Sequence, residues 1–197
     1  MNKEVYILAA VRTPLGSFGE KLSALSATEL GSIAIKGALA KSGLPIEVVN
    51  EVFMGNVLQA GVGQAPARQA ALGAGLTYQT ACTTINKVCA SGLKSIALGA
   101  QSIQLGNHEV VLVGGFESMT NAPYIASGAR GGFRYGNTEL KDAIIADGLW
   151  CSFDSCLMGL GTERYTAGNI SRQQQDDLAM KSNQRAAAAI AAGRLAD

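Results

Sequence analysis

The stretch Thr83-Thr84-Ile85-Asn86-Lys87-Val88-Cys89-Ala90-Ser91-Gly92-Leu93-Lys94-Ser95-Ile96-Ala97-Leu98-Gly99-Ala100-Gln101-Ser102-Ile103-Gln104-Leu105-Gly106 decides how the chain is read. Its first four residues lean towards a β-strand. From Leu93 onward, Ile96, Ala97, Ala100 and Ile103 recur at spacings of three and four, which predicts a helix. Cys89 therefore falls where a strand hands over to a helix. The small residues Ala90, Ser91 and Gly92 allow backbone or a ligand to come close there. Free amides and the positive end of a helix dipole favour a thiolate at such a place, and the thiolate is the form that attacks acyl groups. A thiol so placed is a candidate nucleophile once a base can reach it. The competing reading is simple packing, because free cysteine behaves as a small, usually buried hydrophobe.

Strands and helices alternate on both sides of this unit. Val5 to Ala10 is a continuous apolar run and reads as a buried, parallel strand. Thr28 to Ser42 follows a helical pattern with Thr28 as N-cap, and Gly43 with Pro45 stops it. Glu51 to Leu58 reads as a second strand, Pro66 to about Leu72 as a short helix, and Glu109 to Gly114 as a further strand. Alternation of this kind is the signature of βαβ units, so the fold class is α/β with a parallel sheet. Cys89 lies at the carboxyl end of its strand, where open α/β sheets place their chemistry.

Beyond Ser118 the periodicity weakens, and glycines and the cations Arg130, Arg134 and Lys141 punctuate the chain to about Met158. A segment of that length without clear elements reads as an excursion serving function or assembly. A helix is expected from about Gly159 to Ala167. Another follows Ser171, with Gln174 three positions on as a capping box, and Gly193 ends it.

Composition narrows the partners. With 48% apolar residues, 24 glycines and 4 prolines in 197 residues, the chain is that of a globular protein with many tight turns. The 16 basic and 15 acidic residues leave a net charge of +1, which argues against nucleic acid or an anionic membrane as the main partner. No run reaches membrane-spanning length. Met1 to Glu4 leads straight into the first apolar run without signal- or transit-peptide character. The cysteines, at positions 82, 89, 151 and 156, form no C-x-x-C pair and no zinc pattern. A structural disulfide between Cys82 and Cys89 is not expected on one strand-to-helix segment, and the cytoplasm is the expected location, with an organelle as the alternative once a targeting segment has been removed.

Asn86-Lys87-Val88-Cys89-Ala90-Ser91-Gly92-Leu93-Lys94 resembles the nucleophile motif of the thiolase family, the acetyl-CoA acetyltransferases and 3-ketoacyl-CoA thiolases. Further blocks resemble that family in the same order: Val11 to Phe18, Gly55 to Ala70, Gly114 to Tyr124, and Met158-Gly159 with Thr162-Glu163. The resemblance implies a thiolase-like fold, of which this chain holds the first half with part of the inserted loop domain. Residues 1–120 would form the amino-terminal core half that carries the nucleophile, and residues 121–197 an incomplete loop domain.

The resemblance also implies the chemistry. Cys89 would take up an acyl group from one CoA thioester and pass it to another, the backbone amide of Cys89 supplying one oxyanion donor. Acetyl-CoA C-acetyltransferase is the expected activity. CoA thioesters enter as substrates and no further cofactor is implied. Leu149 and Met158 match positions lining the pantetheine channel and acyl pocket, although apolar packing explains them equally well. Leu157 stands where short-chain members often carry a histidine. Ser118 and Met119 match a stretch that supports the catalytic loop, and Arg130, Arg134 and Lys141 one through which many members form tetramers. The family's histidine, water-holding asparagine and second cysteine lie in a second half and have no counterpart here. His108 reads as a surface-turn residue, roughly 15 Å or more from Cys89 along the intervening helix. A homodimer or homotetramer is expected, and the chain alone is expected to be inactive. Two other readings stay open: a non-catalytic CoA- or partner-binding fragment of a split assembly, and a relative of the β-ketoacyl synthases.

Overall fold

Every strand of the central sheet points the same way. The computed structural model describes residues 3–195. In order come α1 (Ala27–Ser42), β1 (Glu51–Gly55), α2 (Pro66–Gly73), β2 (Ala81–Ile85), α3 (Ser91–Gln104) and β3 (Val111–Gly115). The strands lie in the order β2-β1-β3, all parallel, with Gly55 level with both Ile85 and Gly115. Their carboxyl ends therefore open on one side. The expected α/β parallel core is present.

Strand alternation assigns the two faces of the sheet. Val52 and Met54 of β1 point into a core built with Ile35 of α1, Ala67, Ala70 and Ala71 of α2, and Phe116. On the opposite face α3 lies against the sheet through small residues. Ser91, Ser95, Gly99 and Ser102 are its buried positions, and Ser95 Oγ donates to Gly114 O at 2.8 Å. A Cβ on Gly99 would stand 2.5 Å from the Val113 side chain, so only glycine lets the helix come this near. The apolar face that predicted the helix, including Leu93 and Ile96, is exposed instead, with Leu93 at 72%. Close backbone approach, and not apolar content, selects the buried face.

Two other expectations are corrected. The N-cap of α1 is Ser26 and not Thr28: Ser26 Oγ accepts the Glu29 N–H, and the Glu29 carboxylate accepts the Ser26 N–H at 2.8 Å. Hydrogen bonds from the Ser26 side chain and backbone hold the Glu29 carboxyl below its ordinary range. Val5 to Ala10 is not a strand. It runs beside the outer edge of β3 across a cavity of about 200 Å³, unpaired, with Ile7 at 81% exposure. An apolar run favours burial, but it supplies neither ladder hydrogen bonds nor a second covering layer.

After β3 the chain forms short elements: a pair of two-residue antiparallel strands, β4 (Tyr124–Ile125) and β5 (Lys141–Asp142), then a wide π-helical turn at Ile144–Leu149. The chain divides into two compact units between Leu149 and Trp150, later than the change of pattern near residue 120.

The second unit opens with an antiparallel hairpin, β6 (Trp150–Cys151) and β7 (Cys156–Leu157), in which Trp150 faces Leu157 and Cys151 faces Cys156. It continues with α4 (Met158–Thr166) and α5 (Arg172–Ala191). The expected capping box is present at α5, where Ser171 N donates to Gln174 Oε1 at 2.8 Å and Gln174 N to Ser171 Oγ at 3.2 Å. Among the described residues, no helix is long and apolar enough to cross a membrane.

Candidate active site

β2 ends at Ile85 and α3 begins at Ser91, so Cys89 sits on the tight turn between them. Side chains from both ends lock that turn. Asn86 Oδ1 accepts the Val88 N–H at 2.9 Å, and Ser91 Oγ accepts the Lys87 N–H at 2.8 Å while donating to Val88 O at 2.6 Å. Val88 is thereby held at φ 50°. That conformation is strained for a β-branched residue and persists only where its surroundings over-determine it. The next residue, Cys89, is exposed at the start of α3, whose N-terminus has no side-chain cap.

The turn fits so closely because β1 ends in glycine. A Cβ on Gly55 would lie 2.6 Å from Ser91 Cβ and 2.7 Å from its carbonyl carbon. Gly55 and Gly115 together let the carboxyl ends of β1 and β3 meet the first turn of α3.

An apolar cavity of about 400 Å³ opens at this point. Cys89, Val88 and Gly92 form one wall, Asn56 to Leu58 and Gly115 to Glu117 the strand side, and Met119, Ile144 and Leu149 the remainder. Leu149 is delivered by the π-helical turn, so two of the three residues singled out in the sequence line one cavity. The third, Met158, belongs to the second unit, where it opens α4 and is exposed.

Glu117 had no role assigned from the sequence. Its carboxylate accepts Asn56 Nδ2 at 2.8 Å, Val57 N at 2.9 Å and Leu58 N at 3.3 Å, clasping the loop after β1 to the end of β3. Burial raises its pKa, while these hydrogen bonds pull it the other way. Asn56 is buried and also donates to Phe116 O at 3.2 Å; its Oδ1 is buried without a partner among the described residues. Ser118 and Asn121 brace the adjoining segment, Ser118 Oγ donating to Leu25 O at 3.2 Å and Asn121 Nδ2 to Leu25 O at 2.9 Å.

The other titratable candidates are occupied elsewhere. Cys82 lies on β2, its thiol pushed up by burial with Arg68 acting in the opposite sense. Arg68 itself donates to Thr80 O at 3.2 Å and Tyr78 O at 3.1 Å, tying down the turn before β2. His108 follows α3 at the end remote from Cys89, with Nδ1 2.7 Å from Ser102 Oγ and 3.4 Å from Glu51 Oε2.

A family model described as the thiolase N-terminal domain matches residues 5–197. The chain belongs to the thiolase family. It is 55% identical over 195 residues to a zebrafish mitochondrial acetyl-CoA acetyltransferase, covering 98% of this chain and 46% of that protein. A Schizosaccharomyces pombe acetyl-CoA acetyltransferase is 54% identical over 187 residues, covering 94% of this chain and 47% of that one. A crystal structure of an Ascaris suum thiolase in complex with coenzyme A superposes with a TM-score of 0.90 at 42% identity, covering 97% of this chain and 50% of that chain. The thiolase-like fold is therefore established, and the chain spans about half the length of these relatives.

One expectation is overturned. The cytoplasmic location read from the amino terminus and the cysteines is not supported, because the bovine, human and mouse relatives are named as mitochondrial proteins. Composition and cysteine spacing do not report compartment.

Proposed function

We propose that this chain is the nucleophile-bearing half of an enzyme that transfers acyl groups between CoA thioesters, with acetyl-CoA C-acetyltransferase as its activity. The observation carrying this reading is Cys89, exposed on a strained strand-to-helix turn, in the wall of an apolar cavity at the carboxyl ends of parallel strands. Residues 1–120 form the core half and residues 121–197 an incomplete loop domain. The whole enzyme is an oligomer, with Arg130, Arg134 and Lys141 on an assembly loop.

In the proposed cycle the Cys89 thiolate attacks a thioester carbonyl. The tetrahedral intermediate collapses, the C–S bond to CoA breaks, and CoA leaves as a thiol carrying the proton that Cys89 gave up. The acyl group remains as a thioester on Sγ. A second acyl-CoA loses an α-proton, and its carbon attacks that thioester to give the 3-ketoacyl-CoA and free Cys89. Thiolysis runs the same steps backwards. Leu149 lines the path of the pantetheine arm and acyl group, and Met158 is a second substrate-binding residue of this reading. The cavity admits an apolar chain, and the backbone N–H of Cys89 supplies one donor to the oxyanion. The groups that move protons lie in the remainder of the enzyme.

Turnover of acetoacetyl-CoA with CoA by the full-length protein tests this reading. Cys89→Ala is expected to abolish it. Unchanged turnover in that variant rejects the assignment.

A further inference from the structure

We propose that Cys151 and Cys156 form a reversible disulfide across the β6–β7 hairpin, made by exchange with a low-molecular-weight disulfide. The two residues are direct partners in antiparallel register. Directly opposed residues project their side chains from the same face of the ribbon. Their Cα atoms stand about 4.5 or 5.5 Å apart, depending on the kind of pair. Both separations fall within the roughly 4.4–6.8 Å that a disulfide spans, so bond formation needs no strand displacement. A loop at Ser152–Ser155, with Ser155 at φ 50°, closes the hairpin and keeps the pair opposed.

Exposure sets the order of events. Cys151 is partly exposed, whereas Cys156 is 4% exposed. Asp154 marks the accessible sulfur, with Cys151 Sγ donating to its Oδ2 and accepting its N–H, both at 3.4 Å. The Cys151 thiolate attacks RSSR, forming a mixed disulfide and releasing RS⁻. The Cys156 thiolate then attacks Cys151 Sγ, forming the internal bond and releasing a second RS⁻. Two protein thiols are oxidised, one small disulfide is reduced to two thiols, and the two protons lost by the cysteines pass to those thiols. Neither Cys82, opposite Val52, nor Cys89, on its turn, has a cysteine across from it. The pair lies between Leu149 and Met158 in sequence, the two residues assigned above to substrate binding. The disulfide itself does not depend on that assignment.

The test is made on the reduced full-length protein under native conditions, with oxidised glutathione as the probe. The protein is then unfolded in urea, free thiols are blocked with iodoacetamide, and the tryptic peptide 142–164, which holds both cysteines, is weighed. The expected result is loss of both alkylation adducts with two hydrogens fewer than the unmodified peptide, reversed by dithiothreitol. Cys156→Ser is expected to retain glutathione on Cys151, and Cys151→Ser to remain alkylatable at Cys156. Full alkylation of both thiols in the wild type, or glutathione persisting on wild-type Cys151, overturns the proposal.

Discussion

Ser91 Oγ donates to Val88 O at 2.6 Å and holds Val88 in a left-handed backbone conformation beside Cys89. The same oxygen accepts the Lys87 N–H, so one buried hydroxyl bonds two backbone groups of the turn that holds Cys89. Ser91→Ala leaves the Lys87 N–H unpaired, while Val88 O keeps the Ser91 N–H at 3.0 Å, and is expected to cost about 1–3 kcal/mol in chemical denaturation. It is also expected to slow alkylation of Cys89 by iodoacetamide. Val88→Gly relieves the strain instead. Its stability should be equal to wild type or higher, with the same loss of Cys89 reactivity. Unchanged alkylation in both variants would show that the turn does not present the sulfur.

Gly55 and Gly92 make a matched pair for steric accounting. A Cβ on Gly55 collides with Ser91, whereas one on Gly92 meets nothing within 4 Å. Gly55→Ala is expected to lower stability by about 1–3 kcal/mol or more, because α3 must move off the sheet. Gly92→Ala is expected to gain up to about 1 kcal/mol from helix propensity. Equilibrium urea unfolding of the two variants checks the contrast, and equal effects would refute the close approach of β1 to α3.

Glu117 gives the site a pH signature. Its folded pKa is raised chiefly by burial, so the folded state holds this proton more tightly than the unfolded one. The sign follows: its contribution is fully present below the unfolded value and is lost as pH rises through the folded value. Unfolding free energy measured from about pH 4 to about pH 8 should therefore carry a falling component. Glu117→Gln should remove that component while lowering overall stability, since its amide presents donors to Asn56, Val57 and Leu58. An identical pH slope in both proteins would place the titration elsewhere.

How far the sequence could be read depends on the range of each interaction. The capping box at Ser171 and Gln174 is local and is found where spacing predicts it. At α1 two hydroxyls compete as caps, and Glu29, three positions after Ser26, decides between them. The handover from strand to helix at Cys89 is equally local. Apolar periodicity found α3, but the positions packed on the sheet are Ser95 and Gly99, which allow an approach that Leu93 and Ile96 would block. The clasp between Asn56 and Glu117 joins residues 61 apart in sequence, and nothing in either neighbourhood announces the other.

The exposed face of α3 makes a separate prediction. Leu93 and Ile96 present apolar surface that, in the proposed whole enzyme, lies against further chain. The 197-residue chain alone should self-associate and bind a hydrophobic dye, and Leu93→Lys should reduce both. The full-length protein should bind little dye. Strong dye binding by the full-length protein would argue that this face stays open.

The central claim is that Cys89 carries the acyl group. Full-length protein mixed with acetyl-CoA, quenched in acid and mapped by mass spectrometry reports it directly. An acetyl group on the peptide containing Cys89, absent in Cys89→Ala and discharged on adding CoA, is the expected result. An unacylated Cys89, or an acetyl group on another cysteine, would contradict the account.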